Sequence, residues 1–240
     1  MMTSRRFLVV GIGAGSPDHL TLEAIDALRG ADVVLALDKG EVKADLLRAR
    51  QEIIDRHAPG TPIITVPDPP RLRGDYVEEV ERWHRRRAEL IDAAAPQGTV
   101  AMLVWGDPSL YDSTLRILGH MGAEDVRVIP GITAVQALTA AHGILLNEIG
   151  QAIHITTARN LAETPDPENT VVMLDGGTAW EQVPGDFRIW WGAYLGTPKQ
   201  VLRSGYLDEI GAELSALKKQ LRAEHGWIMD IYLLRRVPRS

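Results

Sequence analysis

Three short segments rich in glycine, proline and aspartate carry the side chains of this chain that are best suited to chemistry. They are residues 11–18 (GIGAGSPD), 105–111 (WGDPSLY) and 130–134 (PGITA), and each follows an apolar run. An apolar run that ends in Gly, Pro and Asp is typical of a buried strand followed by a loop. If the three strands lie side by side, their loops line one crevice at the end of the sheet, which is where open α/β sheets bind ligands.

The first of these segments permits a dinucleotide-binding interpretation, because a strand, a glycine loop and a helix follow one another. The match to that fingerprint is imperfect, since its third glycine would fall at residue 16, which is Ser16. Carboxylates in two loops, Asp18 and Asp107, would repel a phosphate and suit a ligand with hydroxyl groups or positive charge. A nicotinamide-dependent oxidoreductase that uses the loop at Gly11, a non-catalytic nucleotide-binding module and a tight turn without a ligand stay alternatives.

The elements that position these loops follow an alternating pattern in the first part of the chain. Apolar periodicity predicts strands over 7–12, 33–37, 63–66, 99–104 and 126–129, and helices over 21–28, 41–57, 75–95, 113–121 and 132–142. This alternation predicts a mainly parallel, doubly wound sheet. Further along, strands are predicted over 152–157, 171–174, 188–194, 200–204 and 227–234, with one helix over 206–225. We therefore expect an α/β protein of two domains, with a doubly wound domain over 1–146 and an α+β domain over 147–240.

Composition limits the classes of partner. The 240 residues include 26 Lys and Arg against 32 Asp and Glu, for a formal net charge of −6, and this balance gives no general attraction to nucleic acid or anionic membranes. The chain has no cysteine, which excludes disulfides, thiolate metal sites and a Cys nucleophile. No apolar run approaches the roughly 20 residues of a membrane helix. We expect a cytoplasmic protein that binds neither nucleic acid nor membrane.

Histidines and acids are the remaining groups that could catalyse a reaction. The seven histidines show no metal-site spacing such as His-Glu-x-x-His, and no serine lies in a Gly-x-Ser-x-Gly elbow, so we expect neither a metal nor nucleophilic hydrolysis. Acids at the ends of predicted strands, among them Asp38, Glu148 and Asp175, remain as general bases. Residues 85–87, three successive arginines, are interpreted as a solvated helix face, because successive helical positions point in different directions.

In order and spacing, the three segments resemble the signature segments of the tetrapyrrole methylases, and the resemblance covers essentially the whole chain. It implies a two-domain fold that binds S-adenosyl-L-methionine in the cleft between the domains and releases S-adenosyl-L-homocysteine. This methyl donor has no phosphate, so carboxylates in the loops suit it. Carried over by motif, the residues implied to contact it are Pro17, Trp105, Gly106, Asp107, Leu110, Thr133, Ala134, Asp175 and Gly196.

Within that family, further stretches resemble the members of cobalamin synthesis that methylate C-1 of a precorrin and release its acetyl group as acetate. These stretches are residues 103–114, 138–150, 173–177 and 189–196. Another methylase of the family is the alternative. The resemblance also implies a homodimer and a tetrapyrrole substrate with many carboxylates, and we expect Arg71 and Arg73 to clamp these by bidentate hydrogen bonds. Acetate release needs a base for water, for which Asp175 ranks first and Glu148 and Asp38 are the alternatives.

Overall fold

In a computed structural model, ten strands and seven α-helices form within the described residues, which are 5–38, 40, 44–70, 76–95, 97–161, 163 and 168–237. The chain divides into an N-terminal unit, Met1–Thr133, and a C-terminal unit, Ala134–Ser240. None of the helices in these ranges is long and apolar enough to cross a membrane.

The N-terminal unit is built on a five-stranded sheet in which every neighbouring pair is parallel, with strand order β3-β2-β4-β1-β5. Its strands are β1 (Arg6–Gly11), β2 (Val33–Asp38), β3 (Ile63–Pro67), β4 (Thr99–Val104) and β5 (Val126–Ile129). The helices between them are α1 (Leu22–Arg29), α2 (Ala44–His57), α3 (Tyr76–Ala94) and α4 (Thr114–His120). The predicted parallel α/β sheet is confirmed.

The central strands β1, β2 and β4 are buried on both faces, which explains why they are nearly continuous apolar runs in the sequence, whereas the edge strands β3 and β5 are partly exposed. Successive residues of a strand point to opposite faces, and on β1 Phe7 and Val9 pack in the cluster that includes Ile91 of α3 and Ile117 of α4. The alternate residues of β1 pack in a second cluster with residues of α1 and α2. Two helices therefore cover each face, as expected for a doubly wound sheet.

The sheet order brings together the three strands that precede the three sequence motifs. β1 lies between β4 and β5, pairing with each in parallel register. The carboxyl ends of these strands therefore meet at one edge, and the loops that follow them are neighbours. This arrangement meets the condition under which the three loops line one crevice.

The C-terminal unit contains a mixed sheet with strand order β6-β7-β10-β8-β9. β6 and β7 are parallel, and the other three pairings are antiparallel. The elements are α5 (Ala134–His142), β6 (His154–Thr157), α6 (Ala158–Leu161), β7 (Asn169–Met173), β8 (Phe187–Ala193), β9 (Val201–Tyr206), α7 (Leu207–His225) and β10 (Asp230–Arg236). The mixed sheet agrees with the expected α+β character.

The division between the units falls earlier than the predicted boundary after residue 146. Helix α5 packs against β8 and β10 and so belongs with the C-terminal unit. The sequence places this helix in the first part of the chain because it continues the strand–helix alternation there. Burial partners, which decide the assignment, are not visible in that alternation.

Candidate functional site

The three loops of the N-terminal unit touch one another through their backbones. Gly106 N donates to Gly13 O (2.8 Å), and Gly13 N donates to Gly106 O (3.3 Å). A Cβ atom on Gly131 would lie 2.2 Å from Gly106 O, and one on Gly11 would lie 2.6 Å from Gly131 N. Glycine is required at these positions because the chains approach too closely for a side chain. We call residues 11–18, 105–111 and 130–133 the three-loop cluster.

Asp107 connects two loops of the three-loop cluster. Its Oδ2 accepts a hydrogen bond from Gly131 N (2.8 Å), and its Oδ1 accepts from Ser109 N (2.8 Å) and Ser109 Oγ (2.5 Å). Burial opposes ionisation, but the hydrogen bonds from Ser109 and Gly131 outweigh it and lower the pKa of Asp107. The ionised carboxylate therefore fixes the loop at Gly131 relative to the loop after β4.

Trp105 and Leu110 flank Asp107 and are both half-buried. The guanidinium Cζ of Arg50, from α2, lies 5.4 Å from the centroid of the Trp105 ring, a cation–π arrangement. Burial lowers the pKa of Arg50 to about 10, with the charge of Asp112 acting in the opposite direction, so this cation stays charged at neutral pH. Trp105 Nε1 is buried and has no hydrogen-bond partner within the described part of the chain. The indole is thus held by its ring face.

The segment at Pro17 is anchored by helix α2. Pro17–His19 forms a short 3-10 helix, and His57 Nε2 lies 2.9 Å from Pro17 O. Asp18 Oδ1 lies 2.5 Å from Arg56 Nη2 in an exposed ion pair. The sequence suggests that Asp18 faces a ligand, whereas the structure gives its carboxylate a partner on α2. Pro17 is therefore held at the edge of the three-loop cluster by two residues at the end of α2.

Three residues other than glycine have positive φ angles among the described residues. They are Tyr111 (φ 51°), Leu174 (φ 56°) and Tyr194 (φ 51°). Holding a residue other than glycine in the left-handed φ/ψ region costs of order 1–3 kcal/mol, and such strained residues occur more often at functional sites than elsewhere. Each follows a strand, β4, β7 or β8, in a segment that the family resemblance assigns to the methyl donor. Leu174 is 66 % exposed, so packing in a core does not account for its conformation.

Sequence reasoning did not identify Tyr111 and Leu174 as site residues. Glycine is the main sequence signal of a positive φ angle and Asn and Asp are weaker ones, whereas tyrosine and leucine disfavour it. The signal available in the sequence was indirect: both residues lie directly beside motif positions, Leu110 and Asp175.

Asp175 is buried and fully engaged within the C-terminal unit. Its Oδ1 accepts from Gly177 N (2.8 Å), and its Oδ2 accepts from Ala179 N (2.9 Å) and Tyr232 Oη (2.9 Å). Burial and the carboxylate of Asp175 raise the pKa of Tyr232, so the phenol remains a donor. These bonds hold the start of a 3-10 helix, Ala179–Gln182. The geometry favours a structural role for Asp175 over the predicted role of base.

The other two predicted acids are more accessible. Asp38 ends β2 and is half-buried, and its Oδ1 accepts from Gly40 N (2.9 Å). The Glu148 side chain is 66 % exposed and lies 3.2 Å from Arg235 Nη1. Arg235 is in turn fixed by Asn169 Oδ1 (3.0 Å) and Leu145 O (2.7 Å). Asp38 belongs to the N-terminal unit and Glu148 to the C-terminal unit.

The remaining predicted contacts lie at element ends. Thr133 is the half-buried last residue of the N-terminal unit, and Ala134 is the first residue of α5. Gly196 has φ 75°, and its N–H donates to Gln200 Oε1 (2.8 Å). The turn at Gly196 follows Tyr194, so it shares the strained segment after β8. Arg71 and Arg73 lie outside the described residues.

Arg87 differs from the predicted solvated face. It is buried, and its Nε and Nη2 atoms donate to the two carboxylate oxygens of Asp68 at 2.6 and 2.5 Å. Its Cζ lies 3.3 Å from the centroid of the Trp83 ring, and Trp83 Nε1 donates to Pro69 O (2.8 Å). The prediction was wrong for Arg87 because one turn of α3 faces the segment after β3. That segment, which precedes Arg71, is therefore fixed to α3.

Comparison with known proteins matches residues 6–211 to the family model of the tetrapyrrole (corrin/porphyrin) methylases. The chain belongs to the tetrapyrrole methylase family. The precorrin-6A synthase [deacetylating] of a Sinorhizobium species is 41 % identical over 249 residues, which cover 97 % of this chain and 95 % of that protein. The match excludes the nicotinamide-dependent alternative, because the family is one of methylases.

Solved structures agree with this assignment. A putative cobalamin synthesis related protein (CobF) from Corynebacterium diphtheriae is 57 % identical, with TM-score 0.87 and coverage of 98 % of this chain and 100 % of that chain. A uroporphyrin-III C-methyl transferase from Thermus thermophilus, complexed with S-adenyl homocysteine, is 21 % identical with TM-score 0.61, covering 96 % of this chain and 97 % of that chain. At that identity the likeness extends to the fold, and the two-domain methylase fold of this family member is confirmed.

Proposed function

We propose that this tetrapyrrole methylase uses S-adenosyl-L-methionine to convert precorrin-5 to precorrin-6A, methylating C-1 and releasing the acetyl group as acetate. The observation that carries the proposal is the 41 % identity, over 97 % of the chain, with a deacetylating precorrin-6A synthase. Identity of this extent over nearly full length is far higher than the 21 % found with a cobalt-precorrin-4 methyltransferase from Priestia megaterium. It therefore favours this reaction over that of another methylase of the family.

The three-loop cluster fits S-adenosyl-L-methionine better than a dinucleotide. The glycines there are used for contact between backbones, and an ionised Asp107 lies among them, where a phosphate would be repelled. We assign binding of the methyl donor to Pro17, Trp105, Gly106, Asp107, Leu110 and Thr133 of the N-terminal unit. Ala134, Leu174 and Gly196 of the C-terminal unit complete the proposed set, and Asp175 supports Leu174 from within the fold.

When bound, the methyl donor supplies an electrophilic methyl group on a sulfonium. The chain's own residues have two tasks, to hold the methyl-accepting carbon in line with that methyl in a dry site and to activate water. Water adds to the acetyl ketone and loses its proton to a base, the bond between the acetyl group and C-1 breaks, and acetate leaves. The electron pair left on C-1 forms the new bond to the methyl group, so atoms and charge balance.

We assign water activation to Asp38 or Glu148 and a structural role to Asp175. Loss of a general base lowers the rate about 10²–10⁴-fold. We therefore expect Asp38→Asn or Glu148→Gln to lower the rate of acetate release at least about 100-fold without lowering the melting temperature. Asp175→Asn should instead lower the melting temperature, because an amide donates where Oδ1 or Oδ2 now accepts.

Acetate and S-adenosyl-L-homocysteine measured together for the three variants separate these roles. If Asp175→Asn has normal stability but releases no acetate, Asp175 is the general base. Normal acetate release by both Asp38→Asn and Glu148→Gln would remove both from the proposal.

Arg71 and Arg73 are proposed to bind substrate carboxylates. In the sequence they follow shortly after Asp68, which is paired with Arg87 of α3. The double variant Arg71→Ala/Arg73→Ala should raise the KM for the precorrin about tenfold or more, since each charged hydrogen bond contributes about 1.5–3 kcal/mol, and leave the KM for the methyl donor unchanged. The matched control is Arg85→Ala/Arg86→Ala, which removes two exposed arginines of α3. Equal changes in both KM values would contradict the assignment.

Leu174 is proposed to contact the methyl donor, and its strain gives a distinctive test. Leu174→Gly relieves the positive φ angle, so we expect the free energy of unfolding to stay the same or rise by about 1 kcal/mol. Affinity for S-adenosyl-L-methionine should fall about tenfold, because burying a leucine side chain contributes about 1.5–3 kcal/mol. The control is Leu145→Ala, another exposed leucine of the C-terminal unit. A stable variant with unchanged affinity would place Leu174 outside the site.

Titration calorimetry tests the cofactor assignment before any substrate is available. S-adenosyl-L-methionine and S-adenosyl-L-homocysteine should each bind with one site per chain, and NADH should give no heat of binding. Binding of NADH alone would contradict the proposal. We also propose a cytoplasmic location and a homodimer. The homodimer is supported by exposed apolar residues of the C-terminal unit such as Leu145 (71 % exposed) and the fully exposed Ile149.

A further inference from the structure

A second group of residues suited to binding lies between helices α3 and α4 of the N-terminal unit. Glu81 and His84 are on α3, and His120 is the last residue of α4. One possible ligand atom from each of the three lies within 4.8 Å of the others. Glu81 Oε1 and His120 Nε2 are 3.4 Å apart. Helix α4 begins just after the loop at Trp105, so His120 lies at the end of α4 that is farther from the three-loop cluster.

Sequence reasoning missed this group because its members come from two helices. Glu81 and His84 are three residues apart on α3 and therefore share one face of the helix. The third member, His120, approaches them only because α4 packs against α3. A search for two ligands within one motif, such as His-Glu-x-x-His, does not detect that arrangement.

We propose that Glu81, His84 and His120 bind one divalent transition-metal ion of the zinc type, which ties α3 to α4. Two imidazoles and one carboxylate form a donor set that suits Zn²⁺, with a water molecule as the fourth ligand. This proposal replaces the expectation, made from motif spacing, that the chain holds no metal.

The geometry requires only small side-chain movements. Ligand atoms that surround Zn²⁺ at about 2.0–2.2 Å lie roughly 3.2–3.6 Å apart in a tetrahedral site, and Glu81 and His120 already meet that spacing at 3.4 Å. The Glu81 and His120 side chains are 52 % and 25 % exposed, so they can rotate and leave an open position for water. His84, in contrast, is 4 % exposed and stacks against Trp83 with ring centroids 5.7 Å apart. The buried imidazole would be the fixed ligand.

The charges around the group set the expected strength of binding. Arg87, Arg116 and Glu81 are the charged groups that face His84, and His120 is the titratable group beside it. Asp68 neutralises Arg87 through a bidentate ion pair, which leaves Arg116 as the cation that opposes a metal ion. We expect a dissociation constant of about 1 μM or tighter for Zn²⁺ at pH 7.5, which corresponds to moderate affinity.

The test uses the full-length protein without a histidine tag, stripped with a chelator and titrated with ZnCl₂ in competition with a chromophoric indicator. The wild type should bind one Zn²⁺ per chain, and Glu81→Gln and His120→Ala should each weaken binding at least tenfold. Both are partly exposed positions, so the variants should fold normally. The matched controls, Glu89→Gln on the exposed face of α3 and His154→Ala in the C-terminal unit, should bind as the wild type does.

Cobalt provides a second measurement that an adventitious surface site would not reproduce. Co²⁺ added to the wild type should give visible absorption bands that disappear in His120→Ala and on addition of Zn²⁺. Zn²⁺ should also raise the melting temperature of the wild type, since it binds the folded state, but not that of His120→Ala. No Zn²⁺ binding by the wild type at 100-fold the expected dissociation constant, or equal binding by the wild type and both variants, would overturn the proposal.

Discussion

Asp107→Ala should weaken binding of S-adenosyl-L-methionine by about tenfold to 200-fold. Asp107 is half-buried, and a hydrogen bond to a charged group contributes about 1.5–3 kcal/mol; here the carboxylate also holds Gly131 N and Ser109 in place. The variant loses the connection between two loops of the three-loop cluster as well as a negative charge. Titration calorimetry with the methyl donor measures the effect directly.

Two further variants show which property of Asp107 matters. Asp107→Asn keeps one acceptor oxygen and should bind with intermediate affinity if the connection to Gly131 is the main contribution. Asp92→Ala, which removes an exposed aspartate of α3 (59 % exposed), should titrate like the wild type. If Asp107→Ala also titrates like the wild type, the three-loop cluster does not bind the methyl donor.

The largest expected effect on stability comes from a buried ion pair of the C-terminal unit. Lys218 Nζ lies 2.8 Å from Asp230 Oδ2, with side chains 4 % and 3 % exposed. Trp191 Nε1 donates to the same oxygen (2.8 Å), and Lys218 also donates to Asp175 O (2.7 Å). Lys218→Met should lower the free energy of unfolding by about 3–5 kcal/mol, because it leaves a buried carboxylate without its cation.

The same variant should become sensitive to pH. Burial raises the pKa of Asp230 in the folded wild type, and Lys218 and Trp191 oppose that shift, so removing Lys218 raises the pKa further. The unfolded carboxyl ionises near its usual pKa of about 3.9. The folded state then binds more protons over the interval between the two pKa values, so the stability of Lys218→Met falls as pH rises through that interval and returns on acidification.

Thermal unfolding of Lys218→Met at pH 5 and pH 8 measures both effects. The melting temperature should fall by roughly 10 °C at pH 8, since 1 kcal/mol corresponds to about 2–4 °C for a chain of this size, and should fall less at pH 5. Lys219→Met is the matched control, because Lys219 is the exposed neighbour on α7. A loss of stability equal to that of the control would show that the buried ion pair contributes little.

Elements with strong periodicity were predictable from the sequence. The runs that became β1 and β4 are almost entirely apolar, because both faces of the sheet are covered there, whereas the edge strand β5 includes the exposed Arg127. The Gly and Pro residues after these strands mark the loops. Close contact of Gly11, Gly106 and Gly131 could not be predicted, since it depends on which strands are neighbours in the sheet. The sequence indicates that glycine is needed there but not which backbone it meets.

Side-chain partners were harder to predict than strands. Arg87 and Asp68 pair across two elements, and the run of arginines in α3 gives no indication that one of them is buried. Asp175 precedes two glycines, which suggests a flexible turn, whereas three hydrogen bonds make it a fixed point of the fold. The contacts of His120 were likewise not predictable, because they depend on the packing of α4 against α3.

The central claim, methyl transfer coupled to loss of an acetyl group, is tested most directly by product stoichiometry. Purified protein is incubated with precorrin-5 and S-adenosyl-L-methionine, and acetate, S-adenosyl-L-homocysteine and the tetrapyrrole product are quantified together. The account predicts equal amounts of all three, with the tetrapyrrole methylated and deacetylated at C-1. Formation of S-adenosyl-L-homocysteine and a methylated tetrapyrrole without acetate would contradict it and would indicate a different methylase of the same family.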